Sequence, residues 1–279
     1  MMEPDDWIAA AEAAADVAGA VIRPFFRTPG RALDATLKPD HSPVTVADRS
    51  AEQAMGAVLA ERFPEHGILG EEYGLDRPEA RLRWVLDPID GTRAFITGRP
   101  IFGTLIALLE DGVPVLGVID QPITGERWVG VTGRPTCFRG PLGGSVGCRA
   151  CPALAQAELS CTSPEMLGPA DMPRWQRLAA GVRRVSWGGD CYAYGLLALG
   201  QIDIVAEGGM KPWDWAALVP VVAGAGGCVT GWDGEPLRFD GPGHVLAVGT
   251  PALLPEAVSL LTIPDLPAPA PTCHPTSPL

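Results

Sequence analysis

The chain lacks a long apolar run and has few basic residues. No stretch of its 279 residues approaches the ~20 consecutive apolar residues that a transmembrane helix needs. Lysine and arginine together number 21 against 33 aspartates and glutamates, which gives a net charge of −12. Such an acidic chain is a poor match for nucleic acid or for an acidic membrane surface. We therefore expect neither of these as a partner.

The cysteines provide neither a disulfide framework nor a zinc site. There are seven of them, an odd number, and Cys148 and Cys151 form a lone C-x-x-C pair without a second pair or paired histidines. We interpret the thiols as reduced and structurally incidental. The N-terminal segment is acidic and has no apolar signal-peptide core, so we expect a cytoplasmic protein.

What the sequence does contain is a turn crowded with oxygen ligands. An apolar run that predicts a strand, Trp84–Leu86, leads directly into Asp87-Pro88-Ile89-Asp90-Gly91-Thr92. Carboxylates such as Asp87 and Asp90 are ligands that hard divalent cations prefer. Gly91 permits a sharp turn, and Thr92 can begin a short helix whose N–H groups suit phosphate oxygens. Asp-Gly is also a common turn pair, so an ordinary turn remains the alternative for this segment alone.

Two further acids lie at comparable places. Glu71 follows the apolar pair Ile68-Leu69, where a short strand gives way to a turn. Asp214 follows Pro212 in a predicted first helical turn and lies between two tryptophans. The ordinary alternatives are a solvated turn charge for Glu71 and helix capping for Asp214. A carboxylate with apolar neighbours on both sides requires a cation or a hydrogen-bond donor as partner, however, and a magnesium ion would provide such a cation.

Jointly, these segments resemble the inositol monophosphatase superfamily of magnesium-dependent, lithium-sensitive phosphomonoesterases. The resemblance runs from about Trp7 to Leu261. Three segments are most similar to the histidinol-phosphatase branch, although Arg93 and Ala94 stand where that branch often has lysine and serine. The segments that carry the resemblance are Glu71-Glu72, 87–92, Trp213-Asp214 and 224–227, with 38–48 at the N-terminal side and 90–100, 102–108 and 189–194 for the branch.

The resemblance implies an α/β (α+β) fold, a layered α/β/α/β/α sandwich of the inositol monophosphatase / fructose-1,6-bisphosphatase type. The element pattern alone supports only a mixed α/β fold. We predict an N-terminal α+β subdomain over residues 1–135, with an antiparallel sheet and most metal ligands. A C-terminal α/β subdomain over 136–263 would carry substrate-binding residues. A proline-rich tail over 264–279 is predicted to be disordered.

Local patterns predict several elements within these halves. Helical spacing of apolar residues predicts helices from Trp7 to Phe25 and from Thr45 to Phe63. Asp111-Gly112 predicts a hairpin between two strands. Asp190 can cap a helix that runs to Leu199. A helix over 213–225 should be kinked at Pro220, which removes one backbone donor.

The resemblance also assigns roles to individual residues. It implies two or three Mg²⁺ ions, held by Glu71, Asp87, the carbonyl of Ile89, Asp90 and Asp214. It places phosphate on the amides of Gly91 and Thr92. Glu71 and Thr92 would orient and deprotonate the attacking water.

Two N-terminal residues have competing interpretations. By the resemblance, Asp48 would accept the Thr92 hydroxyl proton, but Thr45-x-x-Asp48 is also a capping-box pattern. Lys38 resembles a residue of a mobile loop near a third metal ion, but a lone lysine is usually only solvated.

Substrate choice depends on two more acids. Glu207 lies where the family contacts the leaving alcohol, and Asp190 begins a helix at the edge of the site. Together with Asp214, they would suit histidinol phosphate, whose amine and imidazole can carry positive charge. We thus expect a homodimeric histidinol-phosphatase of histidine biosynthesis. Alternatives are a phosphatase for inositol monophosphate, fructose bisphosphate or a 3′-phosphonucleotide, or an inactive metal-binding homologue.

Overall fold

This computed structural model describes residues 4–28, 36–37 and 43–262. Lys38 and the predicted tail over 264–279 lie outside the described residues. The α-helices are α1 (Pro4–Ile22), α2 (Val46–Arg62), α3 (Thr92–Ile96), α4 (Asp171–Gly181), α5 (Asp190–Ala198), α6 (Pro212–Trp215), α7 (Leu218–Gly224) and α8 (Leu254–Thr262). Short 3₁₀ turns lie at Arg23–Phe25, Leu154–Gln156, Pro164–Met166 and Pro251–Leu253.

The strands form two large sheets and one small hairpin. They are β1 (Thr36–Leu37), β2 (Pro43–Val44), β3 (Gly67–Gly70), β4 (Gly74–Asp76), β5 (Leu82–Asp90), β6 (Gly103–Glu110), β7 (Val113–Gln121), β8 (Glu126–Val131), β9 (Cys137–Arg139), β10 (Glu158–Cys161), β11 (Arg184–Trp187), β12 (Ile204–Glu207), β13 (Cys228–Thr230) and β14 (Val245–Val248). The seven-stranded sheet has the order β4-β3-β5-β6-β7-β8-β9, and the five-stranded sheet has the order β11-β10-β12-β14-β13.

The predicted antiparallel sheet is wrong at one pair of strands. β3 and β5 run parallel, with Gly70 opposite Leu86, whereas the other pairings in this sheet are antiparallel. The short strand β4 returns antiparallel to β3, so β5 begins at the same end as β3. Because parallel strands end at the same edge of a sheet, the turns that follow β3 and β5 are neighbours.

The sheets and helices stack in five layers, which confirms the predicted sandwich. Helices α1 and α2 cover one face of the seven-stranded sheet, and α5, α6 and α7 lie between the two sheets. Helices α4 and α8 pack together on the outer face of the five-stranded sheet, where Trp175 and Leu261 are buried. Each layer thereby buries an apolar face against its neighbour.

The helix predicted over 213–225 is divided into α6 and α7. Pro220 has no N–H to pair with the carbonyl of Ala216, and the interruption falls at Ala216 and Ala217. Helix α7 then packs very closely on the sheet. A Cβ on Gly117 would lie 2.0 Å from the Ala217 carbonyl oxygen, and one on Gly130 would lie 2.5 Å from the Pro220 backbone.

Other local predictions are confirmed, while the subdomain division stays a prediction. Helix α2 begins and ends within one residue of the predicted bounds, and Asp111-Gly112 forms the hairpin between β6 and β7. Strand β9 still belongs to the seven-stranded sheet, although it lies beyond the predicted division at 135/136. Within the described ranges, no helix combines the length and apolar character needed to cross a bilayer.

Candidate metal and substrate site

Three of the predicted metal ligands converge at the edge of the seven-stranded sheet. Asp87, Asp90 and Asp214 each bring one carboxylate oxygen to within 4.8 Å of the others. Asp87 and Asp90 lie at the end of β5, where a register shift separates them, and Asp214 comes from α6. Oxygen ligands at this spacing suit a hard divalent cation.

Glu71 reaches this cluster because β3 and β5 are parallel. Its backbone N–H donates to the Leu86 carbonyl at 3.2 Å, which places it beside the start of the Asp87 turn. A hydrogen bond between the Glu71 and Asp87 carboxyl groups helps to raise the pKa of Asp87. Glu71 therefore lies next to the three converging aspartates.

The carboxylates of the cluster repel one another, and a nearby positive charge would stabilise their ionised forms. Burial raises the pKa of Asp87 well above its usual range, and Glu71, Asp90 and Asp214 raise it further. Burial likewise raises the pKa of Asp90, with Asp190 and Asp214 adding to the effect. Carboxylates this close cannot all ionise without a counter-charge. A bound divalent cation would supply that charge, so the residues present fit a metal site.

The turn after β5 has the backbone expected of a phosphate cradle. Gly91 adopts the left-handed conformation, with φ +92°, and precedes α3, which begins at Thr92. The Ile89 N–H donates to Asp87 Oδ1 at 3.0 Å, which fixes the turn, and the Thr92 hydroxyl donates to the Ile89 carbonyl at 3.2 Å. That carbonyl oxygen keeps a second lone pair, which a metal ion could use.

Asp48 acts as a helix cap in this structure. Its carboxylate accepts from the Thr45 N–H at 2.8 Å and from the Thr45 hydroxyl at 2.5 Å, which completes the capping box of α2. Burial raises the pKa of Asp48 to about 6, and the charges of Glu72 and Glu71 add to this, so Asp48 lies near the acidic turn. Its predicted role as proton acceptor for Thr92 stays a prediction, since the Thr92 hydroxyl is directed to Ile89 here.

Asp190 is not the N-cap that its sequence position indicates. Gly189 occupies the N-cap position, and Asp190 is the first residue of α5 with a left-handed φ of +44°. A Cβ on Gly91 would lie 2.7 Å from the Asp190 carboxyl carbon, so Asp190 rests directly on the phosphate turn. The next residue, Cys191, donates its N–H to Asp90 at 2.5 Å. This contact was not predicted, because the two partners are 101 positions apart in the chain.

Glu207 lies behind the wall of the site. It is 2% exposed, and it accepts hydrogen bonds from the Thr162 N–H at 3.1 Å and from the Thr162 hydroxyl at 2.8 Å. Burial raises its pKa to about 8, and Asp190 and Asp214 contribute to the rise. Glu207 thus belongs to the same group of acids, with Thr162 between its carboxylate and the open pocket.

A pocket of about 490 Å³ extends from the Gly91 turn, past Asp190, to a ring that the sequence did not single out. That ring is Trp187, which is 49% exposed at the end of β11. An aromatic residue at the end of a strand gives no local sequence signal that it lines a pocket. Two arginines and a glutamate also line the pocket, namely Arg93, Arg99 and Glu165.

The sequence profile of the inositol monophosphatase family matches residues 3–262. The chain belongs to this family. It is 47% identical over 247 residues to the bifunctional phosphatase IMPL2 (chloroplastic) of Arabidopsis thaliana, covering 88% of this chain and 70% of that protein. It is also 39% identical to the histidinol-phosphatase of Mycobacterium tuberculosis, over 79% of this chain and 85% of the relative.

Solved structures agree with the family assignment. An inositol monophosphatase from Zymomonas mobilis superposes with a TM-score of 0.84 at 51% identity, covering 94% of this chain and all of the other. The inositol monophosphatase of Anabaena superposes with a TM-score of 0.79 at 27% identity, covering 95% of this chain and 99% of that one. The chain is therefore a phosphatase of the inositol monophosphatase family, a family that is generally metal-dependent.

Proposed function

We propose that the protein is a Mg²⁺-dependent histidinol-phosphatase that hydrolyses L-histidinol phosphate to L-histidinol and phosphate. The observation that carries this proposal is that Asp190 lies on the Gly91 turn within the same pocket. An acid beside the phosphate turn favours an alcohol that bears a cation. Histidinol phosphate carries its ammonium group two bonds beyond the ester carbon, within reach of such an acid.

The metal-binding part of the proposal rests on the acidic cluster. Asp87, Asp90 and Asp214 would hold the ions, with Glu71 and the Ile89 carbonyl as further ligands. Bound Mg²⁺ would neutralise phosphate charge, lower the pKa of water and stabilise the leaving oxygen. We propose that these residues hold two or three ions.

The chain's own residues would then position the reactants. Gly91 and Thr92 would present backbone N–H groups to the phosphate, and the carboxylate of Glu71 would orient the attacking water and accept its proton. The Thr92 hydroxyl would assist once it turns away from the Ile89 carbonyl. Asp48 lies near Glu71, and a hydroxyl turned toward Asp48 could pass its proton there.

The leaving alcohol would face the second group of acids. Burial raises the pKa of Asp190 to about 6, while Arg99 and Arg93 oppose the rise. The pKa of Glu207 is about 8 through burial. A substrate ammonium group would stabilise the ionised form of these acids, whereas a neutral polyol would not. Histidinol-phosphatases among the relatives support this preference.

A second candidate is an inositol-1-monophosphatase. The 51% identical structure from Zymomonas mobilis is called an inositol monophosphatase, and the Arabidopsis relative is called bifunctional. Inositol 1-phosphate would use the same metal cluster and the same turn. It would bring no cationic group to Asp190.

The test is a comparison of kcat/KM for L-histidinol phosphate and inositol 1-phosphate, with Mg²⁺ and with a chelator. We expect at least a ~100-fold preference for histidinol phosphate, equivalent to ~2.7 kcal/mol, and no release without metal. A preference for inositol phosphate would keep the metal chemistry and overturn the substrate. Absence of release from both, with Mg²⁺ present, would overturn both candidate substrates and favour another phosphomonoester or an inactive homologue.

The oligomeric and cellular parts of the proposal need separate tests. We propose a cytoplasmic homodimer that is inhibited by lithium. Sedimentation equilibrium would give the mass in solution against the 29.3 kDa of one chain. A monomer at that mass would remove the homodimer from the proposal.

A further inference from the structure

Trp187 is the large aromatic side chain that the pocket exposes. The residue is 49% exposed, although tryptophan usually buries most of its surface. It lies on β11, an edge strand of the five-stranded sheet. The pocket that contains it also contains Gly91 and Thr92, so one continuous space joins the phosphate turn to this indole.

The surroundings of Trp187 hold its ring in place. Its ring centroid lies 4.8 Å from that of Trp175, at an interplanar angle of 33°. Trp175 is itself buried, and its indole N–H donates to the Ala206 carbonyl at 2.9 Å. The Gly188 N–H donates to the carbonyls of Cys161 and Thr162, both at 3.0 Å, which fixes the end of the strand. A rigid, half-exposed indole loses little conformational entropy when a ligand stacks on it.

The pocket contains charges of both signs, and Trp187 itself is neutral. Arg93 pairs with Glu165 at 2.8 Å. The charges of Arg93 and Arg99 also act on Asp190. Imidazole has a pKa of ~6.5 and is mostly neutral at pH 7.5, so it needs no acid of its own and can stack on Trp187 while the ammonium group of the same substrate meets Asp190.

We propose that Trp187 is a specificity-determining residue whose indole stacks on the imidazole ring of the substrate alcohol. This inference rests on the proposed function and extends it to the far end of the pocket. The imidazole of histidinol phosphate is separated from the ester by a three-carbon chain and can reach Trp187. The ring of inositol 1-phosphate is bonded directly to the ester oxygen and stays near the Gly91 turn.

The test is kinetic and uses Trp187→Phe and Trp187→Leu. The leucine variant keeps apolar volume without a π-face, so kcat/KM for histidinol phosphate should fall about three- to tenfold, mainly through KM. The phenylalanine variant should recover most of this loss. For inositol 1-phosphate, kcat/KM should change much less in both variants. Leu142→Ala, which alters an exposed apolar residue outside the pocket, should leave kcat/KM unchanged for both substrates.

A binding measurement gives a readout that does not depend on turnover. L-histidinol, without phosphate, should quench part of the tryptophan fluorescence of the native enzyme, and Trp187→Phe should remove that change. An unaltered substrate preference in Trp187→Leu, or unaltered quenching in Trp187→Phe, would overturn the inference and leave the histidinol-phosphatase proposal standing. A native enzyme without preference for histidinol phosphate would overturn both.

Discussion

The candidate site has a metal end, formed by the acidic cluster, and an alcohol end, and the two are built in different ways. At the metal end, Asp87, Asp90 and Gly91 come from one continuous turn, so local sequence determines most of the geometry. At the alcohol end, Trp187 and Glu207 come from separate strands of the other sheet and Asp190 from the start of α5. We propose that the metal end carries the hydrolytic chemistry. We propose that substrate choice depends on the alcohol end, whose residues only the tertiary fold brings together.

The largest effect is expected at the metal end, from Asp90→Asn. Removal of one ligand charge should lower kcat/KM by at least about 10³-fold for both substrates. Asn keeps an oxygen that can accept from the Cys191 N–H, so the fold should remain intact. Because crowding raises the pKa of Asp90, the metal-free variant should unfold at a temperature no lower than the native chain. Near-native turnover would refute the metal assignment.

The next effect separates the two ends, through Asp190→Asn. Loss of the charge that meets the substrate ammonium should lower kcat/KM for histidinol phosphate about 30-fold or more, with a change below about threefold for inositol 1-phosphate. Asn tolerates the left-handed φ of +44° at this position.

Asp111→Asn is the matched control for Asp190→Asn. Asp111 has a similar φ of +50°, and it is exposed in the hairpin between β6 and β7, away from the pocket. The Asp111→Asn variant should leave kcat/KM unchanged for both substrates. Equal losses for the two substrates in Asp190→Asn would show that Asp190 supports the turn and does not select the alcohol.

A pH effect of intermediate size should appear in the metal-free protein. Folding raises the pKa of Asp190 to about 6 and that of Glu207 to about 8. The folded state therefore binds protons more tightly than the unfolded state, and its stability falls as pH rises from about 4 to 8. Without metal, Tm should be about 3 °C or more higher at pH 6 than at pH 8.

Mg²⁺ should flatten this pH dependence, because the ions favour ionised carboxylates at the metal end. Thermal unfolding at several pH values, with Mg²⁺ and with a chelator, measures the difference. A metal-free Tm that rises with pH over this interval would contradict the raised pKa values.

The smallest effect is expected from Glu165→Gln. Glu165 pairs with Arg93 at 2.8 Å, but the two side chains are 73% and 64% exposed. Such a pair contributes below about 1 kcal/mol, so Tm should fall by no more than about 3 °C. Arg93→Gln is the matching variant and should give a similar value. A larger fall would show that this ion pair holds the mouth of the pocket together.

The turn between β5 and α3 could be predicted from the sequence because its information is local. Pro88, near the end of β5, and Gly91, just after it, can both be recognised without knowledge of the fold. Pro220 likewise predicts the interruption between α6 and α7. The helix bounds of α2 follow from Thr45 and its capping box.

What the sequence did not predict depends on contacts between distant residues. The parallel pairing of β3 and β5 depends on the return of β4, which spans only Gly74–Asp76. Asp190 combines a left-handed conformation with a contact to Gly91, 99 positions earlier in the chain (190 − 91). Trp187 becomes part of the pocket only when the two sheets lie together.

The close packing of α7 on the sheet has a consequence for variation at two inconspicuous positions. Gly117 and Gly130 touch the backbone of Ala217 and Pro220, with no room for a methyl group. Ala217 is three residues beyond Asp214, so any side chain at Gly117 would displace the segment that carries a predicted metal ligand. An alanine in the middle of a β-strand, far from any catalytic motif, would thus act as a loss-of-function allele. A screen of random variants would recover it among the active-site mutants.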